Sequence, residues 1–234
     1  MRALLVARES IAAALQTFLQ REGYSTEVAI DGEDGLDIAR RYSFDIVVCE
    51  LTVPGFGRCE LTRRIRSAKV PVPIVIVSEE SAPAYVAEAL HAGADDYVRA
   101  PYDPNELLAR LCAVVRRTHG HPSATIMVGD LAINVSERSV KVDGTLVRLT
   151  NKEWDVLEAL ALNVNRCVSR EYILERSHVH EEETEIKVID AFVYKLRRKL
   201  AHASGGTQYI KTEWGKGYIL GAPKAIHPSR ETNI

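Results

Sequence analysis

Short apolar runs alternate five times with segments of helical period over the first 118 residues, and this alternation restricts the fold more than any other feature. Ala3 to Ala7 is apolar, and Arg8-Glu9-Ser10 then leads into an amphipathic helix to Arg21. Glu22-Gly23-Tyr24 breaks that helix before a second run, Ser25 to Ile30, and a helix from Glu33 to Tyr42. Phe44 to Cys49 is apolar apart from Asp45, the pattern of a strand buried on both faces. A helix from Gly57 to Ala68, a buried strand from Val72 to Val77 and a helix from Pro83 to Ala92 follow. Asp96 to Val98 makes the fifth strand and Pro104 to Thr118 a closing helix. Strands that alternate with helices predict an α/β domain, a doubly wound five-stranded parallel sheet with helices on both faces. A site in such a sheet lies at the carboxyl ends of the strands, at the topological switch point.

The pattern stops at Thr118-His119-Gly120-His121-Pro122-Ser123-Ala124, which lacks apolar periodicity and reads as a linker over 119–124. His119 and His121 are expected to be solvated there rather than to hold a metal. Thr125 to Leu149 is strand-rich, and Asp143-Gly144 between Val142 and Leu146 signals a hairpin. Thr150-Asn151-Lys152-Glu153 is a capping box opening a helix to about Leu162, and Ser169-Arg170-Glu171 opens another to about Ser177. The acidic run after His178 favours the N-terminus of the next helix and suits a position away from phosphates. That helix, with Thr184 as N-cap, places Ile186, Ile189, Val193, Leu196 and Leu200 on one stripe. Lys187, Ala191, Tyr194 and Arg198 fall opposite, with Val188 and Lys195 beside them, while Asp190 and Arg197 lie on the flanks in reach of a mutual ion pair. Tyr209 to Leu220 then reads as two strands around a glycine-flanked basic tip at Lys216. Residues 222–234 carry two prolines and no pattern, and read as a disordered tail. A helix able to enter a major groove, followed by a hairpin with a cationic tip, suits duplex DNA.

Charge supports a local binding face. The chain of 234 residues has a formal net charge of −2, yet residues 184–220 hold seven Lys/Arg against three Asp/Glu. That contrast fits a directed cationic surface rather than general polyanion binding. The four cysteines, Cys49, Cys59, Cys112 and Cys167, show no CxxC or zinc spacing and read as reduced thiols, mostly in the core. No long apolar run and no leader pattern is present, so a cytoplasmic location is expected, with no metal and no cofactor. No G-x-S-x-G and no phosphate-binding glycine loop supports an enzyme.

Two separated motifs carry a family resemblance for the second half. Ile189-Asp190-Ala191-Phe192-Val193-Tyr194-Lys195-Leu196-Arg197-Arg198-Lys199-Leu200 and Trp214-Gly215-Lys216-Gly217-Tyr218 closely resemble the recognition helix and wing of OmpR/PhoB-type response regulators. Within that family the wording is most similar to the CtrA cell-cycle regulator subgroup. In the first half, Gly93-Ala94-Asp95-Asp96-Tyr97 with Pro101-Tyr102, and Phe44 to Gly55, resemble receiver-domain signatures. The resemblance implies a flavodoxin/CheY-like receiver over 1–118 and an α+β winged helix-turn-helix domain over 125–221. It further implies a DNA-binding transcription regulator acting as a homodimer on repeated, A·T-rich half-sites. Its DNA-facing set would be Arg170, Lys187, Val188, Ala191, Tyr194, Lys195, Arg198 and Lys216, with Arg170 and Lys216 near phosphates. Asp95, Asp96, Tyr97, Glu106, Arg110 and Arg117 would form the receiver dimer face, and the loop over 177–184 could meet RNA polymerase.

The receiver chemistry departs from the family pattern. Phosphoryl transfer to a receiver requires a nucleophilic Asp, an acidic pair that holds Mg²⁺, a hydroxyl and a Lys. Here these positions hold Glu50, then Ala7 and Arg8 with Glu9 one residue late, then Ser78, then Ala100 with Arg99 one residue early. An Arg cannot act as a metal ligand. The expectation is a receiver that does not accept phosphate, with Glu50 paired to Arg8. Two other readings stay open at this point: phosphorylation on an atypical acceptor, Glu50 or Ser78, and an adaptor that titrates partners without binding DNA.

Overall fold

The computed structural model describes residues 1–176 and 187–222. Its first half runs β1 (Arg2–Val6), α1 (Glu9–Arg21), β2 (Ser25–Ala29), α2 (Gly32–Arg41), β3 (Ile46–Glu50), α3 (Glu60–Ser67), β4 (Ile74–Ser78), α4 (Pro83–His91), β5 (Asp96–Arg99) and α5 (Pro104–Thr118). The strands form one parallel sheet in the order β2-β1-β3-β4-β5. Side chains alternate between its two faces. Leu5, Val48 and Val75 meet Leu15 and Leu19 of α1 and Leu107 and Leu111 of α5. Leu4, Val6, Val47 and Ile76 meet Leu36 of α2, Ile65 of α3 and Ala89 of α4 on the other side. All five residues of β3 are buried, as a central strand covered by helices on both faces requires.

Two boundaries differ from the sequence reading for local reasons. The helix expected from Gly57 begins at Glu60, because Cys59 takes a left-handed φ of 56° and the Glu60 carboxylate accepts from the Gly57 amide at 2.9 Å. β3 begins at Ile46 rather than Phe44, because Asp45 turns its carboxylate back onto the Arg2 amide at 2.7 Å.

The second half opens with an antiparallel sheet of β6 (Thr125–Val128), β7 (Leu131–Asn134), β8 (Ser139–Val142) and β9 (Thr145–Leu146). Asp143 and Gly144 both take positive φ, 47° and 78°, as the predicted tight hairpin needs. Helices α6 (Asn151–Leu162), α7 (Arg170–Arg176) and α8 (Lys187–Ala203) follow, then a hairpin of β10 (Ile210–Glu213) and β11 (Gly217–Leu220). The capping box is present: Thr150 Oγ1 accepts from the Glu153 amide, and Glu153 accepts from the Thr150 amide at 2.8 Å. Thr184, Ile186, the acidic loop and most of the C-terminal tail lie outside the described residues.

The two halves pack directly on each other, at the end of the sheet where β1 and β3 begin. Asp45 and Arg176 form an ion pair at 2.8 Å with side chains 1% and 8% exposed. Arg176 also stacks over the Tyr172 ring at 3.7 Å. The α-ammonium of Met1 donates to Glu158 at 2.7 Å, and the indole N–H of Trp154 donates to the same carboxylate. Arg138 reaches Asp155 at 3.2 Å and the Glu22 carbonyl at 3.4 Å. Gly23 makes that approach possible, since a Cβ there would sit 2.4 Å from the Arg138 guanidinium. His121 bonds the Leu162 carbonyl and His119 the Val115 carbonyl, so the linker histidines are half-buried rather than solvated, contrary to the sequence expectation. Burial pushes the Asp45 carboxyl upward, but Arg176, the Met1 ammonium and the Arg2 amide outweigh it and hold the group below the usual carboxylate range.

Candidate nucleic-acid interface and receiver cleft

Helix α8 buries Ile189, Phe192, Val193, Leu196 and Leu200 and leaves Lys187, Ala191, Tyr194, Lys195 and Arg198 exposed. Arg198 lies over the Tyr194 ring at 5.9 Å, and Tyr194 is 61% exposed. These five side chains therefore share one outward face. Val188, grouped with them by spacing, is half-buried against the core instead. Its neighbour Ile189 is the inward residue of that turn, and Val188 follows it around the edge of the stripe.

The flanks of α8 hold the hairpin in place. Arg197 donates from Nε to the Ile210 carbonyl at 3.0 Å and from Nη2 to Thr212 Oγ1 at 2.8 Å. Asp190 pairs with Arg170 at 2.7 Å and accepts from the Tyr218 hydroxyl. The expected Asp190–Arg197 pair is thus replaced by two separate ties, because β10 and β11 each pass close to one of these flank residues. Arg170 lies over the Tyr218 ring at 4.8 Å, so its first role is internal rather than a free cation for phosphate. Val168 and Tyr218 exchange amide hydrogen bonds of 2.8 and 2.9 Å. Gly217 has φ 150°, and a Cβ there would lie 2.0 Å from the Val168 carbonyl oxygen, so only glycine lets the hairpin approach so closely. Beyond it project Trp214, Gly215 and Lys216, all exposed.

At the opposite end of the receiver sheet, Arg8 follows β1 and Glu50 ends β3. The Arg8 amide donates to Glu50 Oε2 at 2.6 Å, while its Nε and Nη2 donate to Oε1 at 3.0 and 2.8 Å. Both carboxylate oxygens are therefore engaged by one residue, and Glu50 is buried. These groups line a cleft of about 760 Å³ with Thr52, Ser78, Glu80 and Ala100. Ser78 Oγ accepts from the Glu80 amide at 3.1 Å, and the Glu80 carbonyl accepts from the Tyr97 hydroxyl at 2.7 Å. Ala7 is buried, and Glu9 and Arg99 are exposed.

Comparison with known proteins follows this division. Residues 7–112 match the response regulator receiver domain, and residues 144–220 match the C-terminal domain of transcriptional regulatory proteins. The chain belongs to the OmpR/PhoB-type response regulators. It is 38% identical over 226 residues to the cell cycle response regulator CtrA of Brucella anthropi, covering 96% of this chain and 97% of that one. The corresponding protein of Brucella ovis is equally similar. Among solved structures, response regulator DrrB of Thermotoga maritima is 28% identical, covers 94% of this chain and 98% of that chain, and superposes with a TM-score of 0.44.

A response regulator receiver of the usual pattern holds Mg²⁺ between its acidic pair and the acceptor Asp. The donor set here does not fit that ion. Ala7 offers no donor, Arg8 is itself a cation, and both Glu50 oxygens accept from Arg8. Among the described residues no group of three or more His, Cys, Asp or Glu side chains converges. No described helix of this response regulator is long and apolar enough to cross a membrane.

The residues expected on the dimer face divide in two. Arg110 joins Asp96 at 3.1 Å and Glu106 at 2.9 Å in one exposed network on β5 and α5. Arg117 is exposed farther along α5. Asp95, also exposed, pairs with Arg66 of α3 at 2.8 Å and accepts from the Ile74 amide. Tyr97 is 9% exposed and tied to the loop after β4. Cys49, Cys59 and Cys112 are buried and Cys167 is exposed, all as free thiols, with burial pushing the Cys49 thiol up to about 12. The residues that sequence reasoning missed are Asp45, Glu158 and Arg176. No short-range pattern marks them, because each buried charge finds its partner more than 100 positions away.

Proposed function

We propose that this response regulator binds duplex DNA sequence-specifically through α8 and the β10–β11 hairpin, with a receiver that works without phosphoryl transfer. The observation that carries the second clause is Arg8 clasping both oxygens of Glu50. A carboxylate so engaged has no free oxygen to attack a phosphoryl donor, and the cation occupies the space of a metal. On the DNA side, Lys187, Tyr194, Lys195 and Arg198 face bases and phosphates, with Ala191 for close approach to thymine methyls. Arg170 acts by fixing Asp190 and Tyr218, and Lys216 reaches the neighbouring backbone. The Asp96–Arg110–Glu106 network, with Arg117, serves a two-fold receiver contact that seats two output domains on A·T-rich half-sites about one turn apart. The cell contains this regulator in its cytoplasm, and its signal is something other than phosphate. A labelled small phosphoryl donor with Mg²⁺ tests the receiver clause: no incorporation is expected, and label on Glu50 or Ser78 would overturn it. A gel shift on genomic fragments that weakens steeply with salt tests the DNA clause.

A further inference from the structure

A cleft of about 540 Å³ opens between the two halves, beside the amino ends of β3 and β4. It lies at the end of the sheet opposite Glu50, where α/β sheets do not ordinarily hold ligands. Five Lys or Arg side chains line it against one carboxylate, that of Asp45, which Arg176 already takes. The whole chain has a formal net charge of −2, so this surplus is local. The receiver contributes Arg40, Arg41 and Lys69, and the second half contributes Arg166 and Arg176.

These cations are not spent on the fold. Lys69 and Arg166 are exposed and have no ion-pair partner among the described residues. Arg40 and Arg41 reach Asp37 of their own helix, at 4.0 and 3.4 Å, in the exposed kind of pair that contributes little. Arg176 is 8% exposed and spends Nε on Asp45, but its Nη1 has no hydrogen-bond partner among the described residues. Lys69 stands just past the end of α3 with φ 56°, a left-handed position that glycine fills at less cost. A lysine there gives up backbone ease for a cation at the cleft. Tyr42, 55% exposed, adds an aromatic plate to the same lining.

We infer that this cleft binds a nucleoside polyphosphate, which bridges the two halves. Guanidinium and ammonium groups suit phosphate oxygens, and an exposed ring suits a base. The volume falls within the about 300–1,000 Å³ usual for small-molecule sites, which favour domain interfaces, and exceeds what a lone phosphate fills. Because each half supplies cations, the ligand binds the docked arrangement and stabilises it. The inference uses no residue of α8 or of the hairpin and does not rest on the DNA-binding reading.

The experiment measures equilibrium binding to the full chain by titration calorimetry. The probes are ATP, GTP, AMP, GMP and inorganic phosphate, in a buffer without other phosphate. ATP or GTP should bind with a Kd on the order of 10–100 μM, each monophosphate about ten-fold more weakly, and inorganic phosphate more weakly still. Lys69→Gln and Arg166→Gln should each weaken binding about ten-fold, and Tyr42→Ala about five-fold, with Tyr42→Phe near wild type. Lys69→Gly should hold or raise the thermal midpoint while lowering nucleotide affinity, a combination that a structural role for the lysine would not produce. Arg21→Gln, the same loss of charge at an exposed position of α1 outside the cleft, should leave binding unchanged. No nucleotide binding up to about 5 mM, binding that survives Lys69→Gln with Arg166→Gln, or an equal loss in Arg21→Gln overturns the site. Inorganic phosphate binding as tightly as ATP overturns the nucleotide assignment.

Discussion

Removing the Asp45 carboxylate should cost far more than a surface ion pair would. Asp45 and Arg176 are both buried, 2.8 Å apart, and belong to different halves of the chain. Asp45→Ala strands the Arg176 guanidinium, whose Nη1 has no hydrogen-bond partner among the described residues, and removes the acceptor of the Arg2 amide. Breaking a buried pair from one side costs about 3–5 kcal/mol, because the remaining charge is left uncompensated. Adding Arg176→Met removes that charge and keeps the apolar stem over Tyr172. The double variant should then recover most of the loss, within about 1–2 kcal/mol of wild type, as apolar replacement of a buried pair often does. Urea unfolding followed by far-ultraviolet circular dichroism measures both. The wild type should unfold in one transition, while Asp45→Ala should show two, with the 119–124 segment newly sensitive to protease. If Asp45→Ala shifts stability by less than about 0.5 kcal/mol, or the double variant is no better than the single, the two halves are not joined by this pair in solution and the argument fails.

Three further outcomes follow from single features. The folded-state pKa of Asp45 is held down, so its contribution is present above the unfolded carboxyl value of about 3.9 and is lost as pH falls through the lower folded value. The gap between wild type and Asp45→Asn should therefore be constant from pH 5 to 7 and close below about pH 4 in acid titrations of stability. Gly217→Ala drives a Cβ into the Val168 carbonyl, so it should cost at least about 1–3 kcal/mol and weaken DNA binding by displacing the wing. Gly215→Ala, with open space around it, should cost only its left-handed φ, about 1–2 kcal/mol, and thermal melts of the pair separate the two cases. Thr150→Ala removes one half of the capping box and should lower stability by about 1 kcal/mol, with Thr150→Ser close to wild type.

What could be read from the sequence was what short-range chemistry dictates. Short apolar runs located the receiver strands and a period-3.6 pattern the inward stripe of α8, because a strand covered by helices must be apolar on both faces and a docked helix on one. The Thr150 capping box and the Asp143-Gly144 turn were legible for the same reason: their partners lie within three residues. Errors arose where a distant partner decides the outcome. Asp190 and Arg197 lie seven positions apart on one helix, but Tyr218 and the Ile210 carbonyl, brought in by the hairpin, claim them separately. Asp95, in the turn before β5, stays exposed, but Arg66 of α3 and the Ile74 amide claim its carboxylate. The joint between the halves was illegible altogether. In sequence, Asp45 is one acid in an apolar run, and Arg176 is one more basic residue near the end of a helix.

The placement of that joint bears on how such a receiver would act. β1 and β3 are neighbours at the centre of the sheet, and both are clamped at each end. At their starts, the Arg2 amide and Arg176 hold Asp45; at their ends, the Arg8 amide and guanidinium hold Glu50. The five residues of β3 span roughly 16 Å between these clamps at about 3.3 Å per residue. In a phosphorylation switch the acceptor end must change its bonding when charge arrives, and the change must reach the output domain. Here the Glu50 end is held by Arg8, whose side chain is largely exposed, and the Asp45 end by a buried pair; on the reading proposed above, the two strands then act as a strut rather than a relay. The exposed face of α8 is not covered by the joint, since Tyr194, Lys195 and Arg198 remain open to solvent. On the reading proposed above, the outward face of α8 is presented constantly, and control acts on how much of the protein is present or on what else occupies its surfaces.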